Sequence, residues 1–574
     1  MLRFSPAGDL AVSVVVGEEI SVELNTRVRA LEYLIQQKGL TGITETTPAF
    51  CALLVYYDPA VTTYDALCAA IADVAAQADT AVLPPSRTVE LPCCYDDPTL
   101  GFDLEAAAKR LGLSADEVVR LHAGAEHLVY FIGFTPGLPY MGVPEKLRIP
   151  RLETPRTKVP AGSVGIGGIQ CCIYSVDSPG GYWILGRTPL RLYDPGAPEP
   201  ILLKPGDRVR FKRIDRREFD EIESRDSHRA IDQSPTVNAA GHAEGERGGR
   251  SPFHSNDCDS PGARALLKIL EPGAQTTVQD LGRPGQLRYG IPPSGPIDRA
   301  SFILANRLVG NADTAAGLEC TVLGPRFEVA APCAIAITGA DMPLTINGAE
   351  APAWRTLVLA AGDVVKLGAA RSGVRAYVAF SGGIDVPLVL GSRSTYLRGR
   401  LGGMDGRALK KDDVVTLLPA AMPARRRVKP CAVPDLTSLP TIRIVLGPEA
   451  DRFTEEGVAA LLGGEYEMLP QSDRMGARLR GPRIAHRRGH DIVSDGIALG
   501  SIQVPGDGQP IALLVDRQST GGYTKVATVC SFDIGRLGQV KPGQRLRFRA
   551  LTLADAHRSL GAWPASLADA LAAE

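Results

Sequence analysis

The chain has 574 residues, 44% of them hydrophobic, and 63 basic against 64 acidic side chains give a formal net charge of -1. That length exceeds what one hydrophobic core organises and predicts three or four domains, while the balanced charge and the lack of a basic tract exclude a nucleic-acid partner. The opening Met1-Leu2-Arg3-Phe4-Ser5-Pro6 meets Asp9 before any long apolar run, and no later stretch reaches membrane-spanning length, so a cytoplasmic protein with no membrane contact is expected.

Residues 1–84 alternate strand-like runs (10–16, 52–57) with helix-like ones (26–37, 63–76), the pattern of a small α+β domain. Ser114-Ala115-Asp116-Glu117 reads as a capping box opening a helix whose apolar face includes Val118, Leu121 and a packed His122. From Tyr130 to Phe211 short β runs are punctuated by Gly and Pro, which suits a closed barrel over 85–218. At 219–262 the composition turns charged and rich in Ser, Gly and His, predicting a flexible linker between two fused units. Beyond it β-rich sequence resumes, broken by a helix over 297–310 with Asp298 placed to cap it. Two further barrels are expected at 263–430 and 431–556, followed by a tail at 557–574. The fold class is thus mainly β, with an α+β N-terminal domain.

A Ser…Gln…Ser-x-Gly-Gly-Tyr pattern occurs in each half: Ser163, Gln170 and Ser178 to Tyr182 in the first, Ser494, Gln503 and Ser519 to Tyr523 in the second. Each copy leads to a Pro-Gly turn and an alternating strand, Pro205 to Phe211 and Pro542 to Phe548, so the halves read as related β units. The eleven cysteines lack any Cys-x-x-Cys pair, and the vicinal Cys93-Cys94 and Cys171-Cys172 would strain a mutual disulfide, so free thiols are expected. His486 and His490 have i,i+4 spacing, but no Glu follows His486, and no metal site is expected.

The residues carry a family resemblance. Phe134 to Tyr140, Pro155 to Gly165 and Ser178 to Pro189 resemble the first of two subunits once called allophanate hydrolase subunits 1 and 2. Thr277 to Gly285, Leu304 to Asn311, Thr338 to Asp341, Ser472 to Gly476 and Gln518 to Tyr523 resemble the second. The sequence departs from the usual pattern at Cys171-Cys172, where Thr-Gly is common, at Tyr182, where Trp is usual, and at Thr524, where Pro normally follows Gly-Gly-Tyr. The resemblance implies cyclophilin-like barrels. It also implies a component of ATP-dependent 5-oxoprolinase, which opens 5-oxoproline to L-glutamate with a third, lactam-utilisation-type subunit and ATP as co-substrate with Mg. Alternatives are a biotin-dependent carboxyltransferase acting on urea or a related amide, and a regulatory binding protein of the histidine-kinase inhibitor type. A homo-oligomer is compatible with each reading.

Chemistry on an amide needs donors aimed at the oxygen that gains charge. The Gly-rich loops supply N–H groups at Gly180, Gly181, Gly521 and Gly522, flanked by hydroxyls of Ser163, Ser178, Ser519 and Thr520, by Tyr523, and by the cations Arg156, Arg187 and Lys525. Arg474 is the expected carboxylate clamp, with Asp473 beside it; Gln503 and Asp516 are expected to orient the amide, and Gln170 is their first-half counterpart. Lys525 is read as a flexible exposed lysine. No Walker loop, biotinylation motif or Gly-x-Ser-x-Gly elbow is present, so the hydrolysis of allophanate is not expected of this chain.

Overall fold

The computed structural model describes residues 2–197, 199–225 and 266–574. Period-two apolar alternation folds the N-terminus into a sheet of β1 (Arg3–Pro6), β2 (Ala11–Val15), β3 (Ile43–Pro48) and β4 (Ala52–Tyr57), ordered β1-β2-β4-β3. Helices α1 (Val22–Lys38) and α2 (Tyr64–Ala75) are capped by Ser21 and Thr63, whose hydroxyls accept from Leu24 N and Ala66 N. Leu31, Ile35, Leu67 and Ile71 of these helices share a core with Val12, Val14, Leu53 and Val55. The same alternation sends Ala11, Ser13, Leu54 and Tyr56 to the opposite face of the sheet. That face packs on the far end of the chain, with Ala7, Ala11 and Leu54 meeting Ala498 in one cluster.

The first barrel is built from β5 (Thr88–Cys94), β6 (Glu126–Ile132), β7 (Pro139–Gly142), β9 (Ser163–Gly167), β10 (Gln170–Ile173), β12 (Trp183–Arg187) and β13 (Arg208–Ile214). It closes in the order β10-β7-β6-β13-β5-β12-β9. A two-stranded flap, β8 (Arg156–Val159) with β11 (Ser178–Gly180), hangs from it. Helices α3 (Leu104–Leu111) and α4 (Ala115–Ala123) lend Leu104, Ala107 and Val118 to the barrel core, and Ser114 caps α4 by accepting from Glu117 N. His122 is packed as expected: Tyr95 Oη lies 2.8 Å from Nδ1, Cys171 Sγ lies 3.3 Å from Nε2, and burial holds its pKa well below the ordinary value.

The expected linker over 219–262 overlaps a helix at its start. Residues 216–224 form helix α5 (Arg216–Ser224), whose Phe219 is buried beside Cys94, Leu100 and Ile214 with Ile222 packed against them, so two apolar residues three apart on an otherwise polar helix dock it. The remainder of that segment lies outside the described residues.

Over 266–417 the expected closed barrel is replaced by two sheets of six and five strands. A shared core of Leu267, Val278, Leu318, Phe327, Ile337 and Phe380 joins them, and short bridges at Leu323–Ala369 and Ile384–Leu417 tie one sheet to the other without a continuous ladder. Helix α6 (Arg299–Leu308) packs alongside, capped by Asp298, which accepts from Ser301 N and Oγ at 3.1 and 2.7 Å.

The last unit is again a closed seven-stranded barrel: β14 (Thr441–Leu446), β15 (Glu465–Met468), β16 (Gly476–Arg480), β18 (Ser501–Gln503), β19 (Ile511–Leu513), β21 (Lys525–Val529) and β22 (Arg545–Ala550). Its order, β19-β16-β15-β22-β14-β21-β18, repeats that of the first barrel strand for strand. The parallel pair β14·β22 matches β5·β13, and the flap β17 (Asp491–Gly496) with β20 (Thr520–Tyr523) matches β8·β11. The expected tail is structured: helix α7 (Leu553–Asp569) and a short strand, Leu571–Ala573, pair the C-terminus with Arg426–Val428 and bury Leu567 and Ala570 beside Phe302 and Leu304. No helix among the described residues is long and apolar enough to cross a membrane.

Candidate functional site

The two barrels fix the register of the repeat, and it differs from the motif alignment. Gly162 and Gly500, at φ 81° and 86°, precede Ser163 and Ser501; each glycine accepts from the strand across it, from Thr188 N and Val529 N respectively, both at 2.9 Å. Ser163 pairs Arg187 and Ser501 pairs Thr528, so Ser163 corresponds to Ser501 rather than Ser494. Gln170 opens β10 whereas Gln503 closes β18, and the two are not equivalent. Both strands slip register at the same place, so Ile184 opposite Gly165 corresponds to Lys525 opposite Gln503. Gly-Gly-Tyr retains its alignment. What the repeat conserves is backbone; what it changes is an apolar pair into a Lys–Gln pair.

Lys525 is therefore not the exposed lysine expected. Only 1% exposed, it lies under the flap with Nζ 3.1 Å from Glu449 Oε1 and 3.6 Å from Asp495 Oδ2, ion-pairing distances that leave it without a directed hydrogen bond. Its backbone N–H donates to Glu449 Oε2 at 2.8 Å, as Ile184 N does to Asp103 Oδ2 in the first barrel. Ser13 Oγ of β2 donates to Asp495 Oδ2 at 3.4 Å, so the N-terminal sheet roofs a cluster that belongs to the last barrel. Burial disfavours the charged lysine, but Glu449 and Asp495 more than offset it and hold its pKa above the ordinary value. Burial pushes Glu449 up; Lys525 opposes this and Asp495 adds to it. Burial and then Asp495 push the neighbouring Cys51 thiol up to about 12, which keeps it protonated and unreactive.

Around this triad lie buried polar atoms without partners: Gln503 Nε2, Ser519 Oγ, Thr520 Oγ1 and Thr524 Oγ1. Unpaired buried donors and acceptors cost free energy and concentrate where a ligand or water completes them. A Cβ on Gly521 would sit 2.9 Å from Gln503 Nε2 and 2.7 Å from Ile497 Cδ1, so glycine is what lets the flap backbone approach the amide. Thr520 lies against Gly133 of the first barrel, where an added Cβ would fall 2.2 Å from Oγ1. Gly521 and Gly522 are half-buried and Tyr523 is exposed beside His490, so the flap meets solvent while the cluster beneath it stays buried.

The other expected site residues are distributed elsewhere. Arg474 is no free clamp. It is buried, donates to Asp516 Oδ2 at 2.8 Å, to Gly295 O at 2.7 Å and to Glu319, and these carboxylates overcome its burial and raise its pKa. Asp473 pairs instead with Arg398. Asp516 is thus a partner of Arg474, and neither it nor Arg517 is at the surface. In the first barrel Gln170 Oε1 accepts from Arg151 at 2.7 Å and from Tyr182 Oη at 2.5 Å. Arg156 pairs with Asp103 at 2.6 Å, and Arg187 donates to Ala161 O at 2.8 Å beneath α5. A Cβ on Gly180 would meet Tyr174 Oη at 1.9 Å, so Gly180 is tightly packed, with no space beside it for a ligand, while Gly181 is open; Ser163 and Ser178 have unpartnered hydroxyls. Sequence reasoning missed Glu449, Asp495 and Ser13. Asp495 stands inside the motif, and aligning Ile184 with Lys525 would have exposed the change in chemistry.

Residues 2–203 match the family model described as carboxyltransferase domain, subdomain C and D, and residues 289–550 match carboxyltransferase domain, subdomain A and B. The chain belongs to this carboxyltransferase-domain family. It is 37% identical to the C-type subunit of 5-oxoprolinase from Escherichia coli (strain K12), over 51% of this chain and 93% of that protein. It is 35% identical to the B-type subunit of 5-oxoprolinase from Bacillus subtilis (strain 168), over 37% of this chain and 92% of that protein. Urea amidolyase of Saccharomyces cerevisiae is 35% identical over 51% of this chain, which spans only 17% of that protein's length. The crystal structure of TTHA0988 superposes with a TM-score of 0.77 and 33% identity, covering 96% of this chain and all of that one. The Kluyveromyces lactis urea carboxylase structure gives 0.51 and 33% identity, covering 54% and 30%.

Proposed function

We propose that this chain is a joined pair of B-type and C-type 5-oxoprolinase subunits, a cytoplasmic hydrolase component that opens 5-oxoproline to L-glutamate with a third subunit and ATP. The observation that carries this reading is coverage: one chain spans 93% of a free-standing C-type subunit and 92% of a free-standing B-type subunit. The buried triad supports it chemically. Lys525 and the amide of Gln503 supply donors for an oxygen that gains negative charge, and Glu449, held above its ordinary pKa, is suited to accept and return a proton. The N-terminal sheet closes the site through Ser13, which accounts for two subunits acting as one. The triad does not suit ATP: its single lysine lies between two carboxylates, so a triphosphate would meet net negative charge, and nucleotide binding is assigned to the partner.

A second reading is carboxyl transfer to urea or a related amide, favoured by the carboxyltransferase description of both family models. ATP-dependent glutamate release from 5-oxoproline, measured with and without a lactam-utilisation-type subunit, tests the first reading. Urea carboxylation in the presence of a biotin carboxylase and biotin carrier, with no glutamate release, would replace it with the second.

A further inference from the structure

A cavity of about 1380 Å³ opens between the N-terminal sheet, α6, the last barrel and α7, and the lactam chemistry proposed above makes no use of it. Two buried donors without partners line it. Arg517, 1% exposed, donates through Nε to Ile497 O at 3.0 Å and through Nη2 to Tyr56 Oη at 2.8 Å, but Nη1 has no partner among the described residues, and none of their carboxylates forms an ion pair with the guanidinium. Ser294, 4% exposed, holds a left-handed φ of 58°, which is strained for a residue with a Cβ; its Oγ is likewise unpartnered. Its backbone N–H donates to Val515 O at 3.2 Å, which places it beside the segment that carries Arg517. Glu45, one of the acids lining the cavity, lies within the field of Arg517 but directs its carboxylate to Leu287 N, from which it accepts at 2.7 Å. Leu281, Pro284, Leu287, Leu304 and Leu499 form apolar wall around these donors.

A desolvated guanidinium with a free N–H is costly unless an acceptor completes it, and a negatively charged acceptor completes it best. We infer that this cavity binds a short-chain organic acid, its carboxylate on Arg517 Nη1 and Ser294 Oγ and its apolar tail on the leucine wall. The site is separate from the Lys525 triad, although Ile497, which anchors Arg517, follows Asp495 by two residues; binding is therefore measured directly rather than through turnover.

Isovalerate serves as the probe, isovaleramide as its uncharged isostere, and the full chain as the protein. Two of the three tryptophans, Trp354 and Trp563, line the cavity, so intrinsic fluorescence reports occupancy and calorimetry gives the affinity. Isovalerate should bind saturably and isovaleramide at least about tenfold more weakly. Ser294→Gly deletes the hydroxyl and relaxes the left-handed backbone, so it should fold normally and weaken isovalerate about fivefold. Arg517→Lys should weaken it about tenfold or more. Failure of isovalerate to bind, equal binding of the amide, or unchanged affinity in folded Ser294→Gly overturns the inference. None of these results bears on 5-oxoproline turnover, and loss of the 5-oxoprolinase reading leaves the binding result intact.

Discussion

Replacing Lys525 by Met keeps most of the side-chain volume and removes only the charge. In the native protein that charge sits 3.1 Å from Glu449 and 3.6 Å from Asp495, in a site where the lysine is 1% exposed. Removing one member of a buried ionic cluster leaves its partners uncompensated and costs about 3–5 kcal/mol. Lys525→Met should therefore lower the urea midpoint of the last barrel clearly, whereas loss of an exposed lysine would cost about 0–1 kcal/mol. Adding Glu449→Gln removes one of the stranded charges and should recover a large part of the loss. The pH dependence has a definite sign. Glu449 binds its proton more tightly folded than unfolded, so this group favours the fold below its ordinary value of 4.5, and that contribution fades as pH rises through the folded pKa. Without Lys525 the folded pKa rises further, so the deficit of Lys525→Met relative to wild type should be largest at alkaline pH and shrink toward acid. A folded Lys525→Met protein with wild-type stability from neutral to alkaline pH would falsify the buried-cluster reasoning.

In the complete enzyme, Glu449→Gln should cut kcat about a hundredfold and abolish the ionisation above 4.5 expected in the wild-type kcat/KM profile; an unchanged profile would remove Glu449 from the reaction. Gly521→Ala places a Cβ 2.9 Å from Gln503 Nε2 and should reduce turnover more than it lowers the melting temperature, as steady-state kinetics and calorimetry together would show. Ser13→Ala should lower turnover by roughly fivefold through Asp495 while leaving the N-terminal sheet folded, judged by circular dichroism. Proteolytic cleavage within 226–265 should leave the two pieces co-eluting on size exclusion. Asp9 accepts from Ser531, Glu45 from Leu287, and Gly137 N donates to Tyr289 O across the halves. Separation of the pieces after cleavage would contradict that interface.

Local chemistry was legible in the sequence wherever a short-range rule governed it. Ser114 and Asp298 cap the helices their spacing announced, His122 packs on an apolar helix face, and the Gly-Gly-Tyr repeat marks equivalent flaps. Closure of the middle unit was not legible, because whether sheet edges pair or face one another across side chains depends on strand placement, which alternation does not encode. Burial of charge was the larger omission. Lys525 read as an exposed cation and Arg474 as a free carboxylate clamp because sequence gives no sign of the carboxylates, tens to hundreds of residues distant, that receive them.

The corrected register turns the duplication into an argument about where chemistry resides. Two barrels with the same strand order and the same bulge present the same backbone position to a carboxylate, Ile184 N to Asp103 and Lys525 N to Glu449. In the first barrel the side chain at that position is apolar, the residue across from it is glycine, and the carboxylate is neutralised by Arg156. In the last barrel the same three places hold a lysine, a glutamine and a glutamate, joined by Asp495 and roofed by Ser13 from the other half. A purely structural role would be met equally well by the first arrangement, which buries no lysine and leaves no amide donor unpaired. The second retains both at a cost to stability, under a glycine flap that reaches solvent. We propose that this cost supports chemistry on a substrate, with the reacting groups in the last barrel and the first barrel and N-terminal sheet as its walls.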